Sequence, residues 1–184
     1  MIIIDTETGG LDHRLHPLLS IAVLSPAYPS TEFHMRITPP EHLAIDPHAA
    51  KINGYKAETW NGHGEAETLE RFREFIHGND EIIAGCNPGF DVGFISAAYV
   101  RKGYREPFWP RRVDVQSLAL DAHAAGRIVL PRKPSGQLSF SLDSIAEALE
   151  LRRPEVVHDA LSDARLTWQC IQKLRERPEW DYDD

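Results

Sequence analysis

Cysteine is scarce in this chain of 184 residues, which contains only Cys86 and Cys170. Two cysteines cannot build a disulfide framework, and these two lack the close spacing of a metal-binding motif. We expect both to be small core residues of a protein in a reducing compartment. The scarcity of cysteine thus excludes a small secreted domain held together by disulfides.

Long apolar runs are also missing. The chain has no stretch of about 18 apolar residues, and the short run Ile2–Ile4 has neither a basic leader nor a cleavage site. Internal repeats and low-complexity segments are absent as well. These absences predict a cytoplasmic protein without a signal peptide or membrane span, folded as a single domain over residues 1–184.

A surplus of positive charge is the third feature that the chain lacks. Twenty Lys and Arg stand against 28 Asp and Glu, which gives a net charge of −8. This balance argues against a protein that coats nucleic acid through a long basic groove. An acidic enzyme can still act on phosphates if bound metal ions reverse the local field, so contact with nucleic acid is expected to be local.

What the chain does contain starts at its first predicted strand. Asp5 and Glu7 follow the apolar run Ile2–Ile4 directly, and on a strand they would face the same side about 7 Å apart. Two acids held so close repel each other, and a divalent cation with oxygen ligands would compensate for that repulsion. An acidic strand end leading into the turn at Gly9 is the alternative that this pair alone leaves open.

Apolar periodicity predicts an α/β domain. The predicted strands lie at 1–7, 18–25, 31–38, 81–86 and 113–115. The predicted helices lie at 65–77, 90–102, 116–124, 141–150 and 159–176, with a mobile surface loop at 126–139. The first three strands are joined by short turns, which favours an antiparallel meander, and the later alternation of strands and helices indicates a mixed sheet flanked by helices.

An acid stands on the apolar face of the predicted helix 90–102. Asp91 shares that face with Phe94 and Ile95, and an unpaired carboxylate in apolar surroundings is costly. The alternative is a helix cap, because Asn87 and Asp91 both lie near the start of the helix. The pattern favours a functional carboxylate.

The last predicted helix has the same feature. Asp163 shares its apolar face with Leu166 and Cys170. His158 lies five residues earlier and cannot face the same way if both residues are helical. If Asp159 caps the helix, His158 falls in the preceding loop and can turn toward a water at a metal site. An ordinary surface histidine is the alternative for His158.

These segments resemble the three motifs of the DEDDh 3′–5′ exonucleases, the DnaQ-like or RNase T-like group. Asp5–Leu11 resembles the first motif, Asn87–Asp91 the second, and His158–Ala164, with its His-x4-Asp spacing, the third. Lys51–Tyr55 resembles a further family segment that carries an Asn-Gly or His-Gly step. The resemblance covers nearly the whole chain, and three motifs in the right order are far more specific than any one of them.

Two departures from the family pattern stand inside these motifs. Gly9 occupies a position where many members have a second Thr, and we expect this to loosen contacts to the terminal nucleotide. Pro88 and Gly89 form an unusual pair before Phe90, and we expect them to reshape that turn. All five residues that correspond to the family's catalytic set are present.

The resemblance implies a ribonuclease H-like fold with a five-stranded mixed sheet, its first three strands antiparallel and its first strand central. It implies an enzyme with two divalent cations, Mg²⁺ or Mn²⁺, that releases nucleoside 5′-monophosphates from 3′ ends of single-stranded nucleic acid. Asp5 would bridge both ions, Glu7 and Asp163 would complete the first site, and Asp91 would hold the second. His158 would be the general base.

Substrate contacts are implied in the same way. Leu11 resembles the family's apolar wedge, with a core leucine as the alternative, and Phe90 belongs either to the same pocket or to the core. Thr8 and Asn53 are candidate polar contacts to the terminal sugar. Residues 101–112 hold five basic residues and three aromatics, which suits either a single strand or a solvated loop whose rings pack on the core.

The resemblance leaves the type of nucleic acid and the partners open. Family members use one constellation for DNA and RNA, so these residues do not separate the two. A polymerase partner and a homodimer are both compatible with it. A non-catalytic nucleotide- or polymerase-binding module of the same fold and an RNase H-type endonuclease are the alternative functions, and the complete set of acids with His158 favours the exonuclease.

Overall fold

A computed structural model describes residues 1–27, 30–77, 82–107, 111–153 and 159–176. The strands are β1 (Ile2–Thr8), β2 (Leu18–Ser25), β3 (Thr31–Arg36), β4 (Ile82–Gly85) and β5 (Arg111–Asp114). The helices are α1 (Pro47–Asn53), α2 (Glu65–Ile76), α3 (Pro88–Arg101), α4 (Val115–Ala124), α5 (Leu142–Ala148) and α6 (Ala160–Arg175).

The strands form one mixed sheet in the order β3-β2-β1-β4-β5. β1 and β2 pair antiparallel, as do β2 and β3, whereas β4 is parallel to both β1 and β5. β1 is the central strand, and its apolar residues Ile2, Ile3 and Ile4 are buried on both faces of the sheet. The predicted ribonuclease H-like mixed sheet, with its first three strands antiparallel, is confirmed.

Helices cover both faces of the sheet. α4, α5 and α6 pack over the face that contains Ile3, and α2 and α3 pack over the face that contains Ile2 and Ile4. Because side chains alternate along a strand, Asp5 and Glu7 lie on the α6 face and Thr6 lies on the α3 face. The carboxyl end of β1 therefore presents two acids to one layer of helices and a hydroxyl to the other.

Helix α1 was not predicted. None of its seven residues is buried, so it has no apolar stripe for a periodicity criterion to detect. Its ends carry the signals instead: the Asp46 side chain caps it, Pro47 is its first residue and Gly54 closes it with a φ of 69°. This is a helix defined by its caps.

Two predicted boundaries are wrong for reasons of capping. α3 begins at Pro88 and not at residue 90, because proline suits the first helical position, where its missing N–H is not needed. The last strand ends at Asp114, whose carboxylate accepts a hydrogen bond from the Gln116 N–H at 2.9 Å and so starts α4 at Val115. The strand predicted at 113–115 thus starts two residues earlier and ends one residue earlier.

The segment 126–139 is a largely exposed loop without regular helix or strand, as its composition predicted, but it is anchored to the core. Leu130 is only 2% exposed, and Ile128 and Leu138 pack against the same core cluster. Cys170 is buried and Cys86 is half-buried, and both are free thiols, in agreement with their predicted place near the core. Within the described residues, no helix is long and apolar enough to cross a membrane.

Candidate active site

Three carboxylates converge at the end of β1. Asp5 and Glu7 come from the strand, and Asp163 comes from the first turn of α6, which packs on β1 and β2. One ligand atom from each of the three lies within 4.8 Å of the other two. Asp163 is buried and the two strand residues are half-buried, so the cluster is partly accessible to solvent.

The start of α6 sets the position of Asp163. The Asp159 carboxylate accepts a hydrogen bond from the Ser162 N–H at 3.1 Å, which makes Asp159 the helix cap, as predicted. Asp163 then lies on the face that buries Leu166 and Cys170. His158 lies outside the described residues, so its predicted role stays a prediction.

Asp91 reaches the same end of the sheet from the opposite face. It lies in α3 and is 4% exposed, and its Oδ1 accepts a hydrogen bond from the Thr6 hydroxyl at 2.7 Å. Asn87, not Asp91, occupies the cap position of α3. Sequence reasoning missed Thr6, although its place between Asp5 and Glu7 puts it on the face that Asp91 approaches. The hydroxyl holds Asp91 next to the strand that carries the other acids.

Burial and mutual repulsion disfavour the ionised form of the acids at this site. Loss of hydration and repulsion from Asp91 and Asp163 raise the pKa of Asp5 well above its usual value. The pKa of Glu7 rises to about 8, mainly through loss of hydration and then through repulsion from Asp163. Burial raises the pKa of Asp91 to about 7 even though the hydrogen bond from Thr6 lowers it. A site that crowds carboxylates in this way is suited to divalent cations, which would compensate for the repulsion.

A cation from the chain itself lies against this cluster. Arg153 Nη2 donates to both carboxylate oxygens of Asp163, at 2.9 Å each, and Nη1 donates to Asp143 in the first turn of α5. The guanidinium thus links the first turns of two helices. Sequence reasoning missed this residue, because nothing in its local pattern separates it from any surface arginine.

A cavity of about 360 Å³ opens beside Glu7. All four predicted substrate residues, Thr8, Leu11, Asn53 and Phe90, line it. Its other lining residues come mainly from β1 and from α1 or its cap: Thr6, Glu7, Gly10, Asp46, His48, Ala49 and Ile52. Leu11 is 86% exposed, which excludes the alternative of a core leucine. Phe90 lines the cavity and also packs on Phe94 with ring centroids 4.9 Å apart, so both of its proposed placements apply.

Internal hydrogen bonds already engage two of the polar residues in the cavity wall. The Thr8 hydroxyl donates to Gly10 O at 2.8 Å, which leaves it able only to accept from a ligand. Asn53 Nδ2 donates to Thr8 O at 2.9 Å, and its Oδ1 accepts from the Tyr55 N–H at 3.1 Å. A register shift between Glu7 and Thr8, which sequence reasoning did not predict, turns the strand end toward α1.

The backbone of Gly9 connects the turn after β1 to the start of α1 through hydrogen bonds. Its N–H donates to Pro17 O at 2.8 Å, and its carbonyl accepts from the Asp46 N–H at 2.7 Å. A Cβ at this position would lie 2.6 Å from Pro17 Cδ and 2.9 Å from a methyl carbon of Ile45. The missing side chain is therefore required by the packing of this turn, and its effect on the terminal nucleotide stays a prediction.

The basic stretch 101–112 divides into two parts. Arg101 and Lys102 pair with the buried Glu65 at 2.5 and 3.5 Å, and this part of the stretch is structural. Residues 108–110 lie outside the described part of the chain. Arg111 and Arg112 are exposed on β5, so the prediction of a strand-guiding surface now concerns this second part.

The family model of the RNase T exonucleases matches residues 2–170. The chain belongs to this family. It is a DnaQ-like 3′–5′ exonuclease, as the resemblance of its motifs predicted. The DNA polymerase III subunit epsilon of Rickettsia felis and that of Rickettsia conorii are similar to this exonuclease. Each is 28% identical over 179 residues, which cover 94% of this chain and 72% of the relative.

Solved structures with the same fold include Escherichia coli exonuclease I in complex with a dT13 oligonucleotide. It has a TM-score of 0.81 and 22% identity, covering 94% of this chain and 40% of that one. Exonuclease I from Methylocaldum szegediense has a TM-score of 0.80 and 24% identity, covering 96% of this chain and 40% of that one. The described chain thus spans about two fifths of these exonuclease I chains.

Proposed function

We propose that this exonuclease hydrolyses single-stranded nucleic acid from its 3′ end with the help of divalent cations and releases nucleoside 5′-monophosphates. The observation that carries the proposal is the cluster of Asp5, Glu7 and Asp163, whose ligand atoms lie within 4.8 Å of one another beside a cavity. Hard oxygen ligands of this kind suit Mg²⁺ and Mn²⁺.

The residues divide into two overlapping ligand sets. Asp5, Glu7 and Asp163 would hold one ion, and Asp5 together with Asp91 would hold the second. When bound, the ions stabilise the charge that develops on the attacking and leaving oxygens during an in-line displacement. Thr6 has the task of orienting Asp91, since its hydroxyl donates to Oδ1 at 2.7 Å.

His158 is the proposed general base. It stands directly before Asp159, the cap of α6, and therefore outside the helix that carries Asp163. A neutral imidazole accepts the proton of the attacking water, and its ordinary pKa of about 6.5 keeps it mostly neutral at physiological pH. In this proposal the base acts on the attacking water and is not itself a metal ligand.

The cavity beside Glu7 is the proposed site of the terminal nucleotide. The exposed side chains of Leu11 and Ile52, together with Phe90, offer apolar surface to a base. The Thr8 hydroxyl, already donating to Gly10, would accept a hydrogen bond from the terminal 3′-hydroxyl. The complex of the exonuclease I relative with dT13 supports a single strand as the substrate here.

Asp5→Ala and Asp163→Ala test the proposal. Each should abolish the Mg²⁺-dependent release of mononucleotides from an oligonucleotide labelled at its 3′ end. Asp121→Ala is the matched control, because it removes an exposed acid that pairs only with Arg127 among the contacts described. Full activity in purified Asp5→Ala protein would refute the assignment.

The same assay separates the alternatives. An RNase H-type endonuclease would cut internally and would accept a strand whose 3′-hydroxyl is blocked, whereas an exonuclease acting from the 3′ end would not. A non-catalytic module would bind the strand without releasing product. Matched DNA and RNA strands of one sequence, each assayed with Mg²⁺ and with Mn²⁺, identify the sugar preference.

Association with a polymerase is a second proposal, favoured by the 28% identity to two DNA polymerase III epsilon subunits. In this proposal the exonuclease works next to a polymerase and removes nucleotides from the growing 3′ end. Co-elution of the purified chain with DNA polymerase III on a sizing column tests it. Separate elution at micromolar concentrations would contradict it.

A further inference from the structure

Arg153 is hydrogen-bonded to the carboxylate of Asp163, which is one of the proposed metal ligands. Its Nη2 lies 2.9 Å from both oxygens of Asp163, and its side chain is only 18% exposed. Both contacts come from one nitrogen, and charge-assisted hydrogen bonds between a guanidinium and a carboxylate are stronger than those between neutral groups. Asp163 is also one of the three acids whose ligand atoms cluster within 4.8 Å. The Asp163 carboxylate is therefore the partner of the Arg153 guanidinium and also a proposed ligand of the divalent ion.

Arg153 also has a second ion-pair partner. Nη1 donates to Asp143, an exposed residue in the first turn of α5. Among the described residues, Nε is buried and has no hydrogen-bond partner, so only the two terminal nitrogens hold the guanidinium. The contact with Asp143 gives Arg153 an ion-pair partner that does not involve Asp163.

We propose that Arg153 is an internal counter-ion that covers Asp163 in the metal-free enzyme and withdraws to Asp143 when a divalent cation binds. Arg153 is then a positioning residue: it compensates part of the repulsion among the acids before the metal arrives, and it lowers the apparent affinity for the metal. The inference rests on the metal site proposed above and adds to it an internal competitor.

Removal of Arg153 and removal of its alternative partner Asp143 should have opposite effects on metal binding. Arg153→Gln removes the competitor, so Mn²⁺ should bind about two- to fivefold more tightly, the size expected of a partly exposed ion pair. Asp143→Asn removes the alternative partner, so Arg153 should stay on Asp163 and Mn²⁺ should bind about two- to threefold more weakly. A purely structural link between α5 and α6 predicts no such opposition.

The experiment is a calorimetric titration of Mn²⁺ alone into the metal-free full chain, without nucleic acid. Wild type, Arg153→Gln and Asp143→Asn are compared, with Asp5→Ala as the variant that should lose binding. Thermal unfolding provides a second readout, because metal-free Arg153→Gln should melt below wild type and Mn²⁺ should close the gap. Arg153→Lys keeps the charge without the two terminal nitrogens that contact Asp163 and Asp143, and should give a smaller gain in affinity.

The outcomes are distinguishable. Unchanged or weaker Mn²⁺ binding in both Arg153 variants, with normal binding in wild type and none in Asp5→Ala, would overturn the competition and leave the metal site in place. Absence of Mn²⁺ binding in wild type would overturn the metal site itself, and the competition with it. Tighter binding in Arg153→Gln together with weaker binding in Asp143→Asn would support the proposal.

Discussion

At the scale of single residues, the active site combines groups that are unfavourable in isolation. Asp5, Glu7 and Asp91 all have raised pKa values, because each loses hydration on folding and faces other carboxylates. A folded protein tolerates such groups when they are protonated or when cations compensate for them. The proposed metal site and Arg153 are two forms of that compensation.

The raised pKa of Glu7 predicts how stability depends on pH. Its value is about 8 in the folded protein against 4.5 as its ordinary value, so the folded state keeps a proton that the unfolded chain has already released. That contribution is fully present below about pH 4.5 and is lost as pH rises through about 8. The melting temperature of the metal-free protein should therefore fall across this window.

Glu7→Gln should flatten this part of the stability curve, because a glutamine does not titrate. The measurement is thermal unfolding in the presence of a chelator, at pH values from about 5 to about 8. This range covers most of the window over which the contribution of Glu7 should be lost. Glu58→Gln, an exposed acid in a turn, is the control and should follow wild type. Identical pH dependence in wild type and Glu7→Gln would contradict the assignment of this proton to Glu7.

Removing the proposed base should reduce turnover and spare metal binding. His158→Ala is expected to lower the rate about 10²–10⁴-fold, the usual cost of losing a general base. Wild-type activity should decline below neutral pH as the imidazole becomes protonated and can no longer accept a proton. Single-turnover rates and Mn²⁺ titrations on the same preparation separate the two effects. Near-normal turnover in His158→Ala would show that the base lies elsewhere.

Thr6 should matter through Asp91. Thr6→Val keeps the shape but removes the donor to Asp91 Oδ1, so it should destabilise the fold by about 1–3 kcal/mol. Because that hydrogen bond lowers the pKa of Asp91, its loss should also move the acidic limit of activity to higher pH. Thr6→Ser retains the hydroxyl and should behave as wild type in melting and in pH–rate profiles. Equal behaviour of the two variants would rule out this role.

At the scale of secondary-structure elements, α1 is the weakest part of the site. It buries none of its residues, and the Asp46 cap and the bond from Asn53 Nδ2 to Thr8 O attach it to the end of β1. A short helix without an apolar face gains little stability of its own. The wall of the proposed nucleotide cavity therefore depends on a few polar contacts.

Asn53→Ala should loosen this wall. Loss of the bond to Thr8 O should raise KM more than it lowers kcat, and hydrogen exchange in α1 should become faster. Lys51→Ala is the matched control on the same helix, since Lys51 is exposed. Unchanged KM and unchanged exchange in Asn53→Ala would show that the cap alone holds α1.

At the scale of the whole molecule, negative charge dominates and the cations are distributed unevenly. Arg101 and Lys102 are engaged by the buried Glu65, so they serve the packing of α3 on α2. Arg111 and Arg112 are exposed on β5, at the edge of the sheet, and Arg112 lies close to Gly89 in the first turn of α3. With a net charge of −8, local cations of this kind are needed for a long strand to approach.

Replacing Arg111 and Arg112 together by Ala should weaken binding of long single strands and spare the cleavage of dinucleotides. Each lost phosphate contact on a single strand reduces the salt slope by about 0.7, so the pair should reduce it by about 1.4. Lys173→Ala with Arg175→Ala removes two exposed cations from the far end of α6 and is the control. Binding titrations over a salt series decide between the two pairs. An unchanged slope in the Arg111 and Arg112 double variant would assign these residues to the surface of the fold alone.

Local periodicity in the sequence is sufficient to predict several features of the site. The alternation of a strand places Asp5 and Glu7 on one face, and the helical repeat places Asp163 among Leu166 and Cys170. Asp159 as the cap of α6 follows from residue type and position. Each of these inferences involves residues only a few positions apart, where backbone geometry leaves few alternatives.

Tertiary structure alone decided the contacts between distant segments. Thr6 meets Asp91 across 85 positions in the chain, and no local repeat connects the two. The hydrogen bonds from Arg153 to Asp163 depend on how α5 and α6 pack, and the register shift at Glu7 depends on the pairing of β1 with β2. Helix α1 had readable caps but no apolar stripe, because its neighbours and not a core hold it in place. The sequence thus specified which acids take part, whereas packing decided which groups orient and compensate them.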